Sequence, residues 1–253
     1  MTEKMTPQAV YALRLGDDAL ILAQRLGEWC GRAPALEIDL SLANFALDLL
    51  GQATYFLELA GEFEGKGRNG DTLAFRRDAL DFTNCLIVEQ ENGDFARTIV
   101  RQFLFSTYQE LLYAELARSH EARFAQISAK ALKEVTYHAR LAGDWVVRLG
   151  DGTDESRSRT IGALDWMWRF VDELFEMDVL EQQLASDGIG VNRAALRTPW
   201  DGRVARVLKD ATLELPTERR GIFGGRRGHH SAHLGHLLSE MQFLQRTYPG
   251  VTW

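Results

Sequence analysis

Long stretches of helical period, with almost nothing to break them, are what most limits the folds open to this chain. Only five prolines occur in 253 residues, and proline is the residue a helix interior tolerates least. Residues 7–30 open on Pro7, suited to a first helical turn, and close at Gly31. Residues 36–60 follow across the short 31–34 turn and end at Gly61. So short a link predicts an antiparallel helical hairpin. The glycine-rich polar stretch 61–71 reads as a loop, and 72–90 as a short helix followed by irregular chain. Asn92, Gly93 and Asp94 cap a third long helix over 94–118, and 121–149 form a fourth. A turn at 150–154 leads to a fifth helix over 155–186, closed by Asp187 and Gly188. A shorter helix is expected near 200–210 and a last one over about 231–247. No strand-like alternation, fixed-period repeat or low-complexity tract competes with this reading. The expected fold is all-α: a single helical-bundle domain over about 7–186, with a C-terminal helical extension over about 187–253.

Composition removes other classes. With 45% apolar and 26% charged residues, the chain has the apolar mass of an ordinary globular core. Its 29 basic and 36 acidic side chains leave a formal charge of -7, against the basic footprint that nucleic-acid binding needs. No uncharged apolar run approaches the roughly 18 residues that cross a bilayer. The N-terminal residues place acids where a secretory signal would be apolar. Cys30 and Cys85 form neither a CxxC pair nor a disulfide framework, which fits a reducing cytoplasm. Cys85 reads as a core residue rather than a nucleophile.

Polar stripes inside apolar helices carry the first functional signal. In the second helix Glu37, Ser41, Asn44, Asp48 and Gln52 step by three and four, so they share one narrow face. That face points either to solvent or into a bundle or a contact between subunits. In the fifth helix Asp165, Arg169, Asp172, Glu173 and Glu176 lie in one sector among aromatic residues, and Arg169 is spaced to pair with Asp165 and Asp172. A salt-bridged outer face accounts for that pattern. The fourth helix sets Lys130, Glu134, Tyr137 and His138 on one side, with Glu134 and His138 spaced either to share an ion or to bond to each other.

Long helices with inward carboxylates raise the prospect of a carboxylate-bridged di-iron centre. Such a centre takes a Glu from each of two helices and a Glu-x-x-His from each of two others. Three positions before the six histidines stand Ala117, Val135, Arg226, Arg227, His230 and His233. Glu-x-x-His therefore occurs nowhere. Glu134 meets Tyr137 at that spacing, Asp48 meets Gly51, and Asp172 and Glu173 meet Phe175 and Glu176. Asp48, Glu134, Tyr137, His138, Glu173 and Glu176 are thus degenerate ligand positions, and neither a metal nor a cofactor is expected in this chain.

The C-terminus offers a competing cluster. His229, His233, His236 and Glu240 step by four, three and four along one helix face, a plausible transition-metal arrangement. Arg219, Arg220, Arg226 and Arg227 nearby would repel a cation, so the alternative is a flexible basic loop before a helix that docks on a partner or near phosphate. A self-contained metal oxidase built on Glu134 and His138, or on these histidines, is the competing function. The Gly224–Gly228 stretch lacks the Lys-Ser/Thr of a Walker loop, and neither a Gly-x-Ser-x-Gly elbow nor a GxGxxG fingerprint occurs.

Several segments together resemble one family. They are YALRLGDDALILAQRLGEWCG (11–31), LEIDLSLANFALDLLGQA (36–53), DTLAFRRD (71–78), ISAKALKEVTYHARLAGDWVVRLGDGT (127–153), WRFVDELF (168–175) and HLGHLLSEMQFLQRTYPG (233–250). They resemble the C subunits of the 1,2-phenylacetyl-CoA epoxidases, from near the start of the chain to its end. The resemblance implies a ferritin-like bundle within a cytoplasmic multicomponent oxygenase of aerobic phenylacetate degradation. It implies three protein partners: a homologous catalytic bundle (A) that holds the di-iron centre and the thioester, a small component (B) and a reductase (E). The assembly would use dioxygen and NADPH to epoxidise the ring of phenylacetyl-CoA, with this chain as a non-catalytic partner. The resemblance also implies contact with the CoA ester at the interface between subunits, through Asp81, Phe82, Thr83 and Asn84 and through Gln182 and Gln183.

Overall fold

A computed structural model describes residues 5–216 and 220–251. Among them the ordered elements are eleven α-helices and short 3-10 turns, as an all-α chain should have. The residues divide into two compact units, one running to Glu91 and resuming at Gly224, the other spanning Asn92–Phe223. The stretch read as one C-terminal extension is therefore shared, 187–223 going with the second unit and the rest with the first.

The first unit is built on the hairpin of α1 (Pro7–Gly27) and α2 (Leu36–Glu64). Thr6 caps α1 by accepting from the Ala9 N–H, and Pro7 occupies the first turn. Every residue of α1 from Tyr11 to Ala23 is buried, including Arg14, Asp17 and Asp18. A helix covered on all sides needs partners for its polar groups, and these shape the site described below. Short helices α3 (Gly70–Phe75) and α4 (Leu86–Glu89) flank a 3-10 turn at Ala79–Asp81. At the other end of the chain α10 (Ala232–Met241) and α11 (Phe243–Thr247) join this unit. The last helix expected over 231–247 is thus interrupted at Gln242, whose side chain donates to the carbonyls of Ala74 and Arg77.

The second unit is built on the hairpin of α5 (Phe95–Leu116) and α6 (Ala122–Gly150). Asp94 caps α5 through the Arg97 N–H at 2.9 Å, as its sequence position predicts. The fifth long helix expected over 155–186 does not run through. Helix α7 (Asp154–Met167) ends in 3-10 turns at Trp168–Phe170 and Asp172–Phe175, the chain becomes extended at Glu176, and α8 (Val179–Ser186) starts afresh. Tertiary contacts break the helix. Trp168 and Phe175 converge on the fully buried Trp200 of α9 (Arg197–Asp210), with ring centroids 5.7 and 5.5 Å from it. The buried Arg193 guanidinium captures the carbonyls of Leu174 and Glu176. Asp178 then caps α8 through the Glu181 N–H at 3.0 Å. The pairing expected within that helix is also replaced: Asp172 bonds to Arg197 at 2.7 Å, and the Arg169 guanidinium lies over the Trp166 ring.

Candidate functional site

The irregular chain 76–90 is where the first unit concentrates its chemistry. Asp17, in the middle of α1, is fully buried and accepts two hydrogen bonds from Arg77. It also accepts from the backbone N–H of Thr83 at 2.8 Å and from its hydroxyl at 2.9 Å. Its neighbour Asp18 takes Arg226 in a bidentate pair, at 3.0 and 2.6 Å, and accepts the Cys85 N–H at 2.7 Å. Glu89 closes the network. Its carboxylate accepts from the Asn84 amide at 2.9 Å and the Ser231 N–H at 2.6 Å, and lies 2.7 Å from His230 Nδ1. Arg25 donates to the carbonyls of Glu89 and His233. Adjacent acids on one buried helix can be tolerated only because each has its own guanidinium.

His230 is held at both ring nitrogens. Nδ1 faces Glu89 and Nε2 faces the Phe82 carbonyl at 2.9 Å, so only the doubly protonated ring satisfies both. Burial pulls its pKa down, but the Glu89 hydrogen bond and charge, the Phe82 carbonyl and the Asp17 charge outweigh it and hold the pKa above 6.5. The sign of the linkage follows. A raised folded pKa contributes stability in full below the unfolded value and loses it as pH rises through the folded one. Urea denaturation of the chain will therefore show stability falling as pH climbs above the ordinary histidine range. The His230→Gln variant will lack that component, and parallel curves for the two would refute the assignment.

The segment implied to meet the CoA ester is placed with one part outward and one part inward. Asp81 is exposed and Thr83 half-buried, but Phe82 and Asn84 are fully buried. Arg77 stacks 4.1 Å above the Phe82 ring. Gln182 and Gln183 are both exposed on α8 in the other unit, where the Gln183 amide donates to Asp187 at 2.9 Å.

The degenerate ligand positions are scattered in environment. Asp48 is half-buried on α2. On α6, His138 belongs to the buried stripe with Val135 and Ala142, Glu134 is half-buried, and Tyr137 and Lys130 are exposed, so the sector that holds the four runs from solvent to the buried edge of the helix. Arg140 lies over the Tyr137 ring. Glu173 is fully buried in a 3-10 turn, and Glu176 is half-buried beyond it. The C-terminal histidines differ from expectation. Helix α10 begins only at Ala232, so His229 lies before it and cannot line its face with His233 and His236. His233 sits 4.0 Å from Glu91. Among the described residues no three His, Cys, Asp or Glu side chains gather as a metal would need. The arginine loop is not a flexible basic surface either: Arg226 turns inward to Asp18, while Arg227 and Arg220 stay exposed. Arg219 lies outside the described residues.

The polar stripe of α2 also resolves into gradations. Glu37 and Asn44 are exposed, Ser41 and Asp48 half-buried, and Gln52 buried. Beside them the outward side of α2 carries Leu36, Leu40, Leu47 and Tyr55, all exposed.

Comparison with known proteins adds the identity of the fold. A family model described as "Phenylacetic acid catabolic protein" matches residues 1–253, the whole chain. The chain belongs to this family. It is a family of ferritin-like helical proteins, in keeping with the all-α architecture. The chain is 49% identical over 249 residues to the C subunit of the 1,2-phenylacetyl-CoA epoxidase of Escherichia coli (strain K12), covering 98% of this chain and all of that protein.

Sequence reasoning missed the buried network itself. Asp17 and Asp18 stand side by side in the middle of α1, where from Tyr11 to Ala23 Arg14 is the one other charged residue, and that is the signal that could have found it: a paired charge in a buried period demands basic partners. Which arginines answer was not readable, because they lie 60 and 208 positions away.

Proposed function

We propose that this chain is the non-catalytic C subunit of a multicomponent oxygenase that epoxidises the ring of phenylacetyl-CoA in aerobic phenylacetate catabolism. The observation that carries this reading is near-full-length similarity, at 49% identity, to a protein named as that subunit. In this reading a homologous catalytic partner (A) holds the di-iron centre, the small component (B) and the reductase (E) complete the assembly, and the complex works in the cytoplasm. Among the described residues no helix is long and apolar enough to cross a membrane.

The donor chemistry of the chain supports a non-catalytic role. A di-iron pair would draw on buried carboxylates. Among the described residues the four buried acids other than Glu173 are each bonded to a basic side chain: Asp17 to Arg77, Asp18 to Arg226, Glu89 to His230 and Glu181 to Arg193. An arginine beside a carboxylate supplies the positive charge that a metal would supply elsewhere. These four groups do not fit a di-iron pair, which supports a structural contribution of the chain. The exposed leucines of α2 support a contact with another subunit, since an obligate partner would bury at least roughly 2,000 Å² of largely apolar surface. Contact with the CoA ester carried by the partner is assigned in this reading to the exposed rim of the 78–83 turn in the first unit and, as a separate candidate, to Gln182 and Gln183 on α8 in the second.

Expressing the catalytic partner with and without this chain tests the reading. By itself, the catalytic partner will lose solubility, iron content and turnover, and the co-expressed pair will retain all three. Equal behaviour in both preparations would reject the structural role. Elemental analysis of the purified chain is the second arm: roughly two iron ions per chain would instead establish the self-contained oxidase.

A further inference from the structure

The C-terminal part of the first unit converges on one turn that is distant in sequence. Residues 77–84 receive the C-terminal segment along their backbone. Arg226 Nη1 donates to the Thr83 carbonyl at 2.9 Å, and His230 Nε2 meets the Phe82 carbonyl at 2.9 Å. Gln242 and Arg246 both donate to the Arg77 carbonyl, at 3.0 and 2.8 Å, and Arg246 also bonds to the Asp78 carboxylate at 2.9 Å. Two glycines permit the close approach. A Cβ on Gly225 would collide with the Asn84 carbonyl oxygen, and one on Gly228 with the Leu80 carbonyl oxygen. Gly228 is also left-handed, at φ 77°.

The opposite side of the same turn is open. Leu80 is 80% exposed, between the exposed Asp78 and Asp81. The 3-10 turn at Ala79–Asp81 is closed by a reciprocal box between Asp78 and Asp81. Arg77 donates to the Asp81 carbonyl at 3.0 Å. A turn held at consecutive inner carbonyls and bare on its outer side is preorganised for a contact, because little entropy is left to lose on binding.

We propose that Arg226 and His230 are positioning residues: through the Thr83 and Phe82 carbonyls they fix the shape in which the 78–83 turn meets the thioester at the interface with the catalytic partner. This rests on the proposed function, which assigns the turn that contact. Neither residue touches the ligand. Their effect runs through the backbone they hold. Arg226 is itself anchored by Asp18 and by the Arg14 carbonyl at 3.2 Å. His230 is anchored by Glu89, whose own carbonyl is gripped by Arg25, and Asp17 adds its charge from α1.

The test uses the full chain in complex with its catalytic partner. In His230→Gln and Arg226→Gln, amide exchange at Phe82 and Thr83 will accelerate about tenfold or more, while α1 and α2 keep their protection. KM for phenylacetyl-CoA will rise about tenfold with kcat within about twofold, as loss of ground-state positioning requires. Arg226→Lys will recover part of the loss, and His230→Gln will flatten the pH dependence of KM. Should the buried variants fail to fold, Arg246→Gln, at the half-exposed end of the clamp, will show the same pattern with a smaller amplitude. Unchanged exchange at 82–83, or faster exchange with unchanged KM, overturns the positioning role. Leu80→Ala and Asp81→Ala decide the underlying reading separately. If both leave KM unchanged, the turn does not meet the thioester, whatever the exchange data show about the clamp.

Discussion

Replacing Asp17 with alanine will cost about 3–5 kcal/mol of folding stability, because it leaves the Arg77 guanidinium charged, buried and short of its partner. Arg77 is itself buried, and its remaining acceptors are the carbonyls of Leu73 and Asp81, which carry no net charge. The same change removes the acceptor for both the N–H and the hydroxyl of Thr83. Thr83 is half-buried, so water can satisfy part of what is lost there, and the Arg77 charge dominates the effect. In a thermal scan the effect corresponds to a drop in Tm of roughly 6–20 °C for a chain of this size. The double change Asp17→Ala with Arg77→Met removes both charges and will recover most of the loss, since a buried pair is worth far less than the cost of breaking it. Equilibrium denaturation of the three proteins measures this. A single-variant loss under about 1 kcal/mol would show that the pair is not desolvated as described.

Trp200→Ala is the second large effect, expected at about 3–5 kcal/mol. Trp200 is fully buried, and its indole Nε1 donates to the Leu104 carbonyl at 3.0 Å. Phe175 stacks edge-on against it, and Tyr108 continues the cluster 5.8 Å from Phe175. Truncation leaves a cavity where α5, α9 and the 3-10 turns after α7 meet. Those turns lack the continuous ladder of a helix, so they will lose protection first in hydrogen exchange. Trp200→Phe keeps most of the volume but removes the indole donor, and will cost about 1–2 kcal/mol. Equal losses for the two variants would mean that the hydrogen bond, not the packing, holds the cluster.

Both predictions concern contacts whose partners lie far apart in the chain, and these contacts also mark where reading the sequence stopped short. The long hairpin helices were legible to within a few residues at each end, with α2 running four residues past its expected stop. Their period, Pro7, the Asp94 cap and the short connecting turns are local signals, and a helix is mostly a local object. The break after Met167 was not legible. Residues 168–177 have no proline or glycine to stop a helix; what stops it is Trp200 and the reach of Arg193. The candidate site was legible only as a stretch of chain. Family resemblance pointed to 81–84, but it could not say that Phe82 and Asn84 face inward while Asp81 faces out. The arginine-rich loop departs from its sequence pattern for the same reason: basic residues among glycines look solvated until a buried acid claims one of them, as Asp18 claims Arg226.

The order of amino acids alone determined that this chain is helical, that its longest helices pair as hairpins, and that Glu-x-x-His is nowhere spelled out. Each depends on neighbours three or four positions apart. The tertiary structure decided which charges neutralise one another. Asp18 finds Arg226 across 208 positions and Glu89 finds His230 across 141, and no periodicity encodes such a separation. Burial makes those choices binding, because a charge removed from water must be met by whatever group the packing brings within 3 Å.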